Sequence, residues 1–173
     1  CLSLGMTSCT KGFLDVESKT ESTTGNFYKT EQDAYRALLG CYDGYRRATC
    51  GSAVNFLVSA EVMGYECFGG SGASDGNGMR VTDRFDLSEM PSSTGSSWSG
   101  YYAGIYRCNE LITRENSIQW NETGSMHTQY MAECHAIRAF LYFDVVRQFG
   151  NIPLLTKPTD ENIPQADPAD VYK

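Results

Sequence analysis

Apolar positions between residues 128 and 149 recur without interruption by Pro or Gly: Tyr130, Met131, Cys134, Ile137, Phe140, Leu141, Phe143, Val145 and Val146. They fall on nearly every face of a helix, and a helix that is apolar all round is expected to be buried. At ~1.5 Å per residue such a helix is about 30 Å long, enough to cross a small domain. Its polar side chains can pair at their own level, Asp144 with Arg147 and His135 with Arg138, each three residues apart. Gly150 supplies a stop and Pro153 prevents resumption, so residues 152–155 leave as an extended apolar strap.

A second periodic stretch, residues 30–46, carries a single stripe of Ala34, Leu38, Cys41, Tyr42 and Tyr45, the mark of an amphipathic peripheral helix. Thr30 can cap it with Asp33 three residues on, a relative of the capping box. Residues 52–64, bracketed by Gly51 and Gly64, repeat Val54, Leu57, Val58 and Val62 at helical spacing. Residues 97–115 give a wide apolar face from Trp98, Tyr101, Tyr102, Ile105, Tyr106, Cys108, Leu111 and Ile112. Asn109 lies on that stripe, and a buried Asn must be hydrogen-bonded, so a bond to neighbouring backbone is expected. This helix and the one at 128–149 form a hairpin through about a dozen residues containing Gly124, as in paired helical repeats, although spacing alone does not establish a tetratricopeptide repeat.

From Tyr65 to Ser97 the pattern changes. Gly69, Gly70, Gly72, Gly76, Gly78 and Gly95, with many Ser and Asp, make a long irregular stretch, within which alternation at 79–87 predicts a short strand. Stretches of this length inside a compact domain are functional or mobile. Its ligand-binding candidates are Tyr65, Phe68, Asn77, Arg80 and Asp83; the alternative is a plain Gly/Ser-rich surface connection. At the far end, Asp167 reads as a helix N-cap with Pro168 at the first helical position. The chain stops inside that turn, which implies the N-terminal part of a longer protein with further ligand contacts downstream.

The formal charge of −7 over 173 residues argues against nucleic-acid binding, which needs a basic footprint. Of the seven cysteines, none is spaced by two residues from another, and Cys41, Cys108 and Cys134 fall on apolar helical faces as small hydrophobes. A Cys41–Cys50 bridge is the open alternative for an exported chain. His127, Glu133, Cys134 and His135 do not converge on one ion, and no metal site, cofactor motif, phosphate loop or nucleophile elbow is present. No catalytic residue is assigned, and a non-enzymatic role is expected.

The opening "CLSLGMTSC" has small and apolar residues before Cys9, like the end of a truncated lipoprotein signal. The domain reading is therefore residues 1–9 as signal tail with Cys9 lipidated, 10–26 as tether, and 27–173 as a helical domain incomplete at its C-terminus. A frayed terminus with an ordinary cysteine is the alternative. Phe13-Leu14-Asp15 after Cys9, then Phe27-Tyr28-Lys29-Thr30-Glu31-Gln32-Asp33-Ala34, resemble the start of the SusD/RagB family of Bacteroidetes outer-membrane lipoproteins. Trp98-Ser99-Gly100-Tyr101-Tyr102-Ala103-Gly104-Ile105-Tyr106-Arg107-Cys108-Asn109 strengthens the resemblance. So do Ala132-Glu133-Cys134-His135-Ala136-Ile137-Arg138-Ala139-Phe140-Leu141-Tyr142-Phe143-Asp144 and Phe149-Gly150-Asn151-Ile152-Pro153-Leu154-Leu155.

The resemblance implies an all-α, tetratricopeptide-like helical bundle (an α-α superhelix) with little strand, in a protein about three times this length. It further implies cell-surface binding of oligosaccharide or peptide, lipid anchorage to the outer membrane facing the exterior, and a SusC-like TonB-dependent transporter as partner. Two departures bear on this: Thr10-Lys11-Gly12 stand where acidic residues often follow the lipidated Cys, and Met63-Gly64-Tyr65-Glu66 replace an expected Asp-rich turn. The rival class is a protein-interaction scaffold without a small-molecule ligand.

Overall fold

The computed structural model describes residues 27–50, 56–70, 72, 74, 77–86, 88 and 90–173. The lipidation candidate Cys9, the tether at 10–26 and the first turn expected of the second helix lie outside the described residues. Helices α1 (Glu31–Cys50), α2 (Phe56–Met63), α3 (Asn77–Asp83), α4 (Met90–Thr113) and α5 (His127–Phe149) precede a two-residue strand β1 (Ile152–Pro153). The chain then runs to β2 (Gln165–Ala166), paired antiparallel with β1, and to the short helix α6 (Pro168–Val171). The chain is mainly helical and takes the tetratricopeptide-like fold expected from the sequence.

Three helices form the core. α4 runs antiparallel to both α1 and α5, and the side chains between them, including Ala34, Leu38, Tyr101, Ile105, Leu111, Leu141 and Val145, are almost wholly excluded from solvent. α1 and α4 approach closely because small residues meet at the crossing. A Cβ on Gly44 would lie 3.0 Å from the Gly104 Cα, and one on Gly104 would lie 2.9 Å from Leu141 Cδ1. One helical turn along, Ala48 and Gly100 repeat the arrangement, with 3.7 Å from a Gly100 Cβ to the Ala48 Cα. Backbones this close gain dispersion contacts along the whole crossing, and there is no room for a larger side chain. Arg107 locks the register by donating to Gly40 O and to Asp43, both at 2.9 Å.

α1 begins where its sequence says it should. Thr30 Oγ1 accepts from Asp33 N at 3.2 Å while the Asp33 carboxylate accepts from Thr30 N at 3.1 Å, a reciprocal cap. α4 starts two turns earlier than the apolar pattern at 97–115 predicts, because Pro91 falls in its first turn, where a missing N–H costs nothing. The expected side-chain pairs on α5 form: Asp144 with Arg147 at 2.6 Å and His135 with Arg138 at 3.5 Å.

The strap after α5 is gripped by the helices beneath it. Gly150 ends α5 with φ +74°, Ile152 is fully buried, and Tyr102 Oη donates to Pro153 O at 2.8 Å. Leu155 O accepts from Asn109 Nδ2 and from Tyr142 Oη, each at 2.8 Å. Asn109 Oδ1 in turn accepts from Arg138 at 2.7 Å, and Arg138 also donates to Thr156 O. Asn109, 1 % exposed, thus satisfies both ends of its amide, and the backbone bond expected of it is present. At the chain's end Asp167 caps α6 through Ala169 N at 2.9 Å with Pro168 at the first position, also as expected.

Two expectations are corrected. The strand predicted at 79–87 is helix α3 followed by a turn. Val81 and Thr82, adjacent in sequence, are both buried, which one face of a helix allows and a strand with alternating sides does not. Nor is α5 buried all round. Phe140 and Phe143 are 59 % and 45 % exposed, because α1 and α4 cover one side only. The uncovered side forms an apolar groove of about 880 Å³ between α5 and α6, lined by Phe140, Phe143, Leu154, Val171 and Tyr172. Cys41 and Cys50 are both free thiols, one in the core and one exposed on the helix end, so the bridge between them is not formed.

Candidate functional site

The ends of α2 and α3 share one construction. α2 stops with Tyr65 N donating to Val62 O at 3.2 Å and Glu66 N to Glu61 O at 3.0 Å, and Tyr65 has φ +63°. α3 stops with Phe85 N donating to Thr82 O at 3.2 Å and Asp86 N to Val81 O at 3.0 Å, and Phe85 has φ +51°. Both are Schellman stops, whose left-handed position ordinarily belongs to Gly. An aromatic residue there costs on the order of 1 kcal/mol in backbone strain. The two strained residues face each other, with ring centroids 6.3 Å apart and planes inclined at 40°.

Both rings are open to solvent. Tyr65 is 79 % exposed and Phe85 41 %, and Phe68, three residues beyond Tyr65, is 77 % exposed. Tyr65 and Phe85 thus form an exposed aromatic pair carried on strained backbone. The turn between Tyr65 and Gly70 is seated on α3 by Gly69. A Cβ at Gly69 would fall 2.5 Å from the Asp83 Cβ and 2.6 Å from Met79 O, so only glycine permits this docking. The hydrophobic support is Val62 beneath α2 and Val81 beneath α3, each almost fully buried.

The predicted site residues sort as follows. Tyr65 and Phe68 lie on the exposed patch, Asp83 sits beneath the turn at Gly69, and Arg80 is half-buried on α3 with its Nε enclosed and without a hydrogen-bond partner. Asn77 opens α3, and its side chain lies outside the described residues. Sequence reasoning missed Phe85, which the alternating pattern assigned to a strand. The available signal was Arg84-Phe85-Asp86 following Thr82-Asp83, a polar cluster in which a solvent-facing Phe has no core to enter.

The other end of the bundle is built differently. The linker from α4 to α5 is closed by Glu31, whose carboxylate accepts from Asn121 N at 3.2 Å, Asn121 Nδ2 at 2.8 Å and Ser125 Oγ at 3.3 Å. Trp120 stacks on His127 at 4.3 Å between ring centroids, and His127 Nε2 is 2.6 Å from Glu115. A polar cavity of about 550 Å³ lies there, edged by Trp120 and Tyr130, but its Glu31 carboxylate is already spent on the linker. Of the cluster His127, Glu133, Cys134 and His135, the members point apart: Glu133 accepts from Tyr42 at 3.0 Å and Cys134 is buried in the core.

Comparison with known proteins gives a consistent result. The family model described as "SusD-like_3: Starch-binding associating with outer membrane" matches residues 72–172. SusD-like protein P38 of Formosa agariphila is 28 % identical over 158 residues, covering 90 % of this chain and 29 % of the relative. SusD-like protein P25 of the same organism is 24 % identical over 161 residues, covering 84 % of this chain and 28 % of the relative. The crystal structure of a SusD homolog from Bacteroides thetaiotaomicron VPI-5482 superposes with a TM-score of 0.61 at 25 % identity, over 86 % of this chain and 29 % of that one. The chain thus spans under a third of the length of the relatives it matches.

Proposed function

This chain belongs to the SusD-like family, and on that premise we propose that it is the scaffold region of a carbohydrate-binding lipoprotein at the outer membrane. Its role is capture without chemistry: an oligosaccharide is held by ring stacking and hydrogen bonds, and no bond in it is broken. Peptide is the alternative cargo. Tyr65, Phe68 and Phe85 supply apolar faces, and Arg80 supplies an enclosed donor with unused capacity. Asp83, beneath the Gly69 turn, and Asn77, at the start of α3, are the further polar candidates.

The observation that carries this reading is the strain at Tyr65 and Phe85. Two helices end in aromatic residues where Gly would cost less, and both rings are brought to one exposed spot. Sugar rings present C–H faces that lie flat on such side chains, and hydroxyl rims that the polar neighbours can take up.

In the complete protein, Cys9 would carry the acyl anchor on the cell exterior, and the helical bundle would seat on a SusC-like TonB-dependent transporter, handing cargo to it. Two acyl chains or more are needed for stable anchorage, which lipoprotein processing at one Cys provides. Cys9→Ala would release the full-length protein from the membrane fraction.

The decisive experiment presents a panel of labelled oligosaccharides, with maltoheptaose as the α-glucan probe, to the full-length protein and to its Tyr65→Ala/Phe85→Ala variant. Loss of two ring contacts at about 0.5–1.5 kcal/mol each corresponds to a drop in affinity of roughly five- to 150-fold. Unchanged affinity in the variant would remove this patch from the binding site. If no oligosaccharide binds and a protein partner alone is captured, the chain is an interaction scaffold.

A further inference from the structure

Three cysteines separated by 67 and 26 residues in sequence meet in the core. Cys41 comes from α1, Cys108 from α4 and Cys134 from α5, and each is 0 % exposed. Their sulfurs all lie within 4.8 Å of one another, with Cys41 Sγ to Cys134 Sγ at 3.9 Å. Cys134 Sγ also lies 3.6 Å from Cys108 O, the backbone of the same turn.

Packing alone does not ask for this arrangement. Three Ala or Val side chains would fill a helix junction equally well, and thiols gain little from touching one another in an apolar core. One edge of the sulfur triangle is 3.9 Å and no edge exceeds 4.8 Å, which puts its centre about 2.3–2.8 Å from each corner, within a small inward shift of a metal–thiolate bond of about 2.3 Å. The three helices that carry the corners are already fixed by the Gly44–Gly104 crossing and the Arg107 bridge, so the triangle is preorganised.

We propose that Cys41, Cys108 and Cys134 form a trigonal all-thiolate site for a soft monovalent d10 cation, with copper(I) as the type ion. The ligand set excludes hard cations, which require oxygen ligands. Complete burial leaves no position for the water that a zinc ion with three protein ligands would retain. Arg138 is tied to Asn109, next in sequence to Cys108, which places a cation beside the charge that three thiolates would leave. On loading, three S–H bonds are exchanged for three metal–sulfur bonds and the protons pass to solvent. The ion enters as copper(I), so no electron is transferred.

The test uses full-length protein with the other cysteines of this sequence, Cys1, Cys9, Cys50 and Cys67, replaced by Ser, loaded anaerobically with a copper(I)–acetonitrile complex and challenged with a copper(I) chelator. One equivalent is expected to remain bound, with a sulfur-to-copper charge-transfer band and a higher unfolding temperature, since a ligand selective for the folded state stabilises it. Cys108→Ala and, separately, Cys134→Ser are expected to lose the ion, with circular dichroism verifying the fold of each. X-ray absorption on the chain with its core cysteines intact supplies a readout free of core substitutions: three sulfur neighbours at about 2.3 Å are expected. Removal of all copper by the chelator, retention in folded Cys108→Ala, or oxygen and nitrogen neighbours in the absorption spectrum would each overturn the site. So would a Cys41–Cys134 disulfide in protein isolated from its own membrane.

Discussion

Of the helices that end at a residue of positive φ, α5 and α2 make the sharpest contrast: one stop is half-buried in the frame and the other is open to solvent. α5 stops at Gly150, φ +74°, and the strap that follows is bonded by Tyr102, Asn109, Arg138 and Tyr142. α2 stops at Tyr65, φ +63°, and the turn that follows rests on the helix's own last carbonyls and on Gly69. At Gly150 the residue that costs least occupies the turn, and the chain beyond it is anchored by buried side chains. At Tyr65 a bulky ring takes the strained place and points to solvent. Stability is concentrated in the first and given up in the second.

The comparison can be broken most severely at Asn109. Asn109→Leu leaves Leu155 O with one donor fewer and strips Arg138 of its buried acceptor, for an expected loss of about 3 kcal/mol. A urea titration followed by circular dichroism measures it; a midpoint equal to that of the parent would show that the strap is not held there.

Paired substitutions at the two stops sharpen it. Gly150→Ala meets no neighbour within 4 Å, so its cost is backbone strain alone, about 1–3 kcal/mol. Tyr65→Gly relieves strain at the equivalent place and is expected to leave stability level or raise it by up to about 1 kcal/mol, while weakening oligosaccharide binding. Opposite signs in the two unfolding curves are the expected result. A destabilising Tyr65→Gly would mean that the ring holds the fold together.

The smallest effect concerns acid. Arg107, Arg46 and Arg47 surround Asp43 and hold its carboxyl at about 2, below its ordinary 3.8. Because the folded value lies below the unfolded one, the contribution is complete above pH 3.8 and disappears as pH falls through about 2. Asp43→Asn should therefore flatten stability over that interval and leave the Tyr65–Phe85 patch unaffected, as read from thermal unfolding at pH 2 to 5.

What the sequence discloses in this molecule is what neighbours in sequence decide. The Thr30–Asp33 cap, the Asp167–Pro168 start, the stop at Gly150 and the pairing of Asp144 with Arg147 involve residues within four positions of one another, and each is present. Asn109 was legible as a fixed amide because an Asn amid Cys108, Leu111 and Ile112 has no cheaper option. Tertiary packing overrode the local pattern at Val81 and Thr82, where burial of two successive side chains turns an apparent strand into α3. The same holds for α5, whose apolar circumference says nothing about how many helices surround it. Phe85 left only a local hint in its polar neighbours, while its pairing with Tyr65 and the convergence of Cys41, Cys108 and Cys134 could not be read, since both depend on how separate helices are placed. Tyr65, Phe68, Asn77, Arg80 and Asp83 were chosen for their position in an irregular stretch; the structure brings Tyr65 to Phe85 and Asp83 to Gly69 at the α2–α3 junction, leaves Phe68 exposed and encloses Arg80 Nε.

The close crossing of Gly44 on α1 with Gly104 on α4 also has a bearing on variation. α2 and α3 lie between these two helices in sequence, and no residue of either takes part in the Gly44–Gly104 contact. Closing a detour costs entropy that rises only with the logarithm of its length, about 0.6 kcal/mol for each doubling. Insertions, deletions and exchanged rings between α1 and α4 would therefore be absorbed at little thermodynamic expense. A lineage could rewrite this one excursion while the helix junction that carries it stays the same.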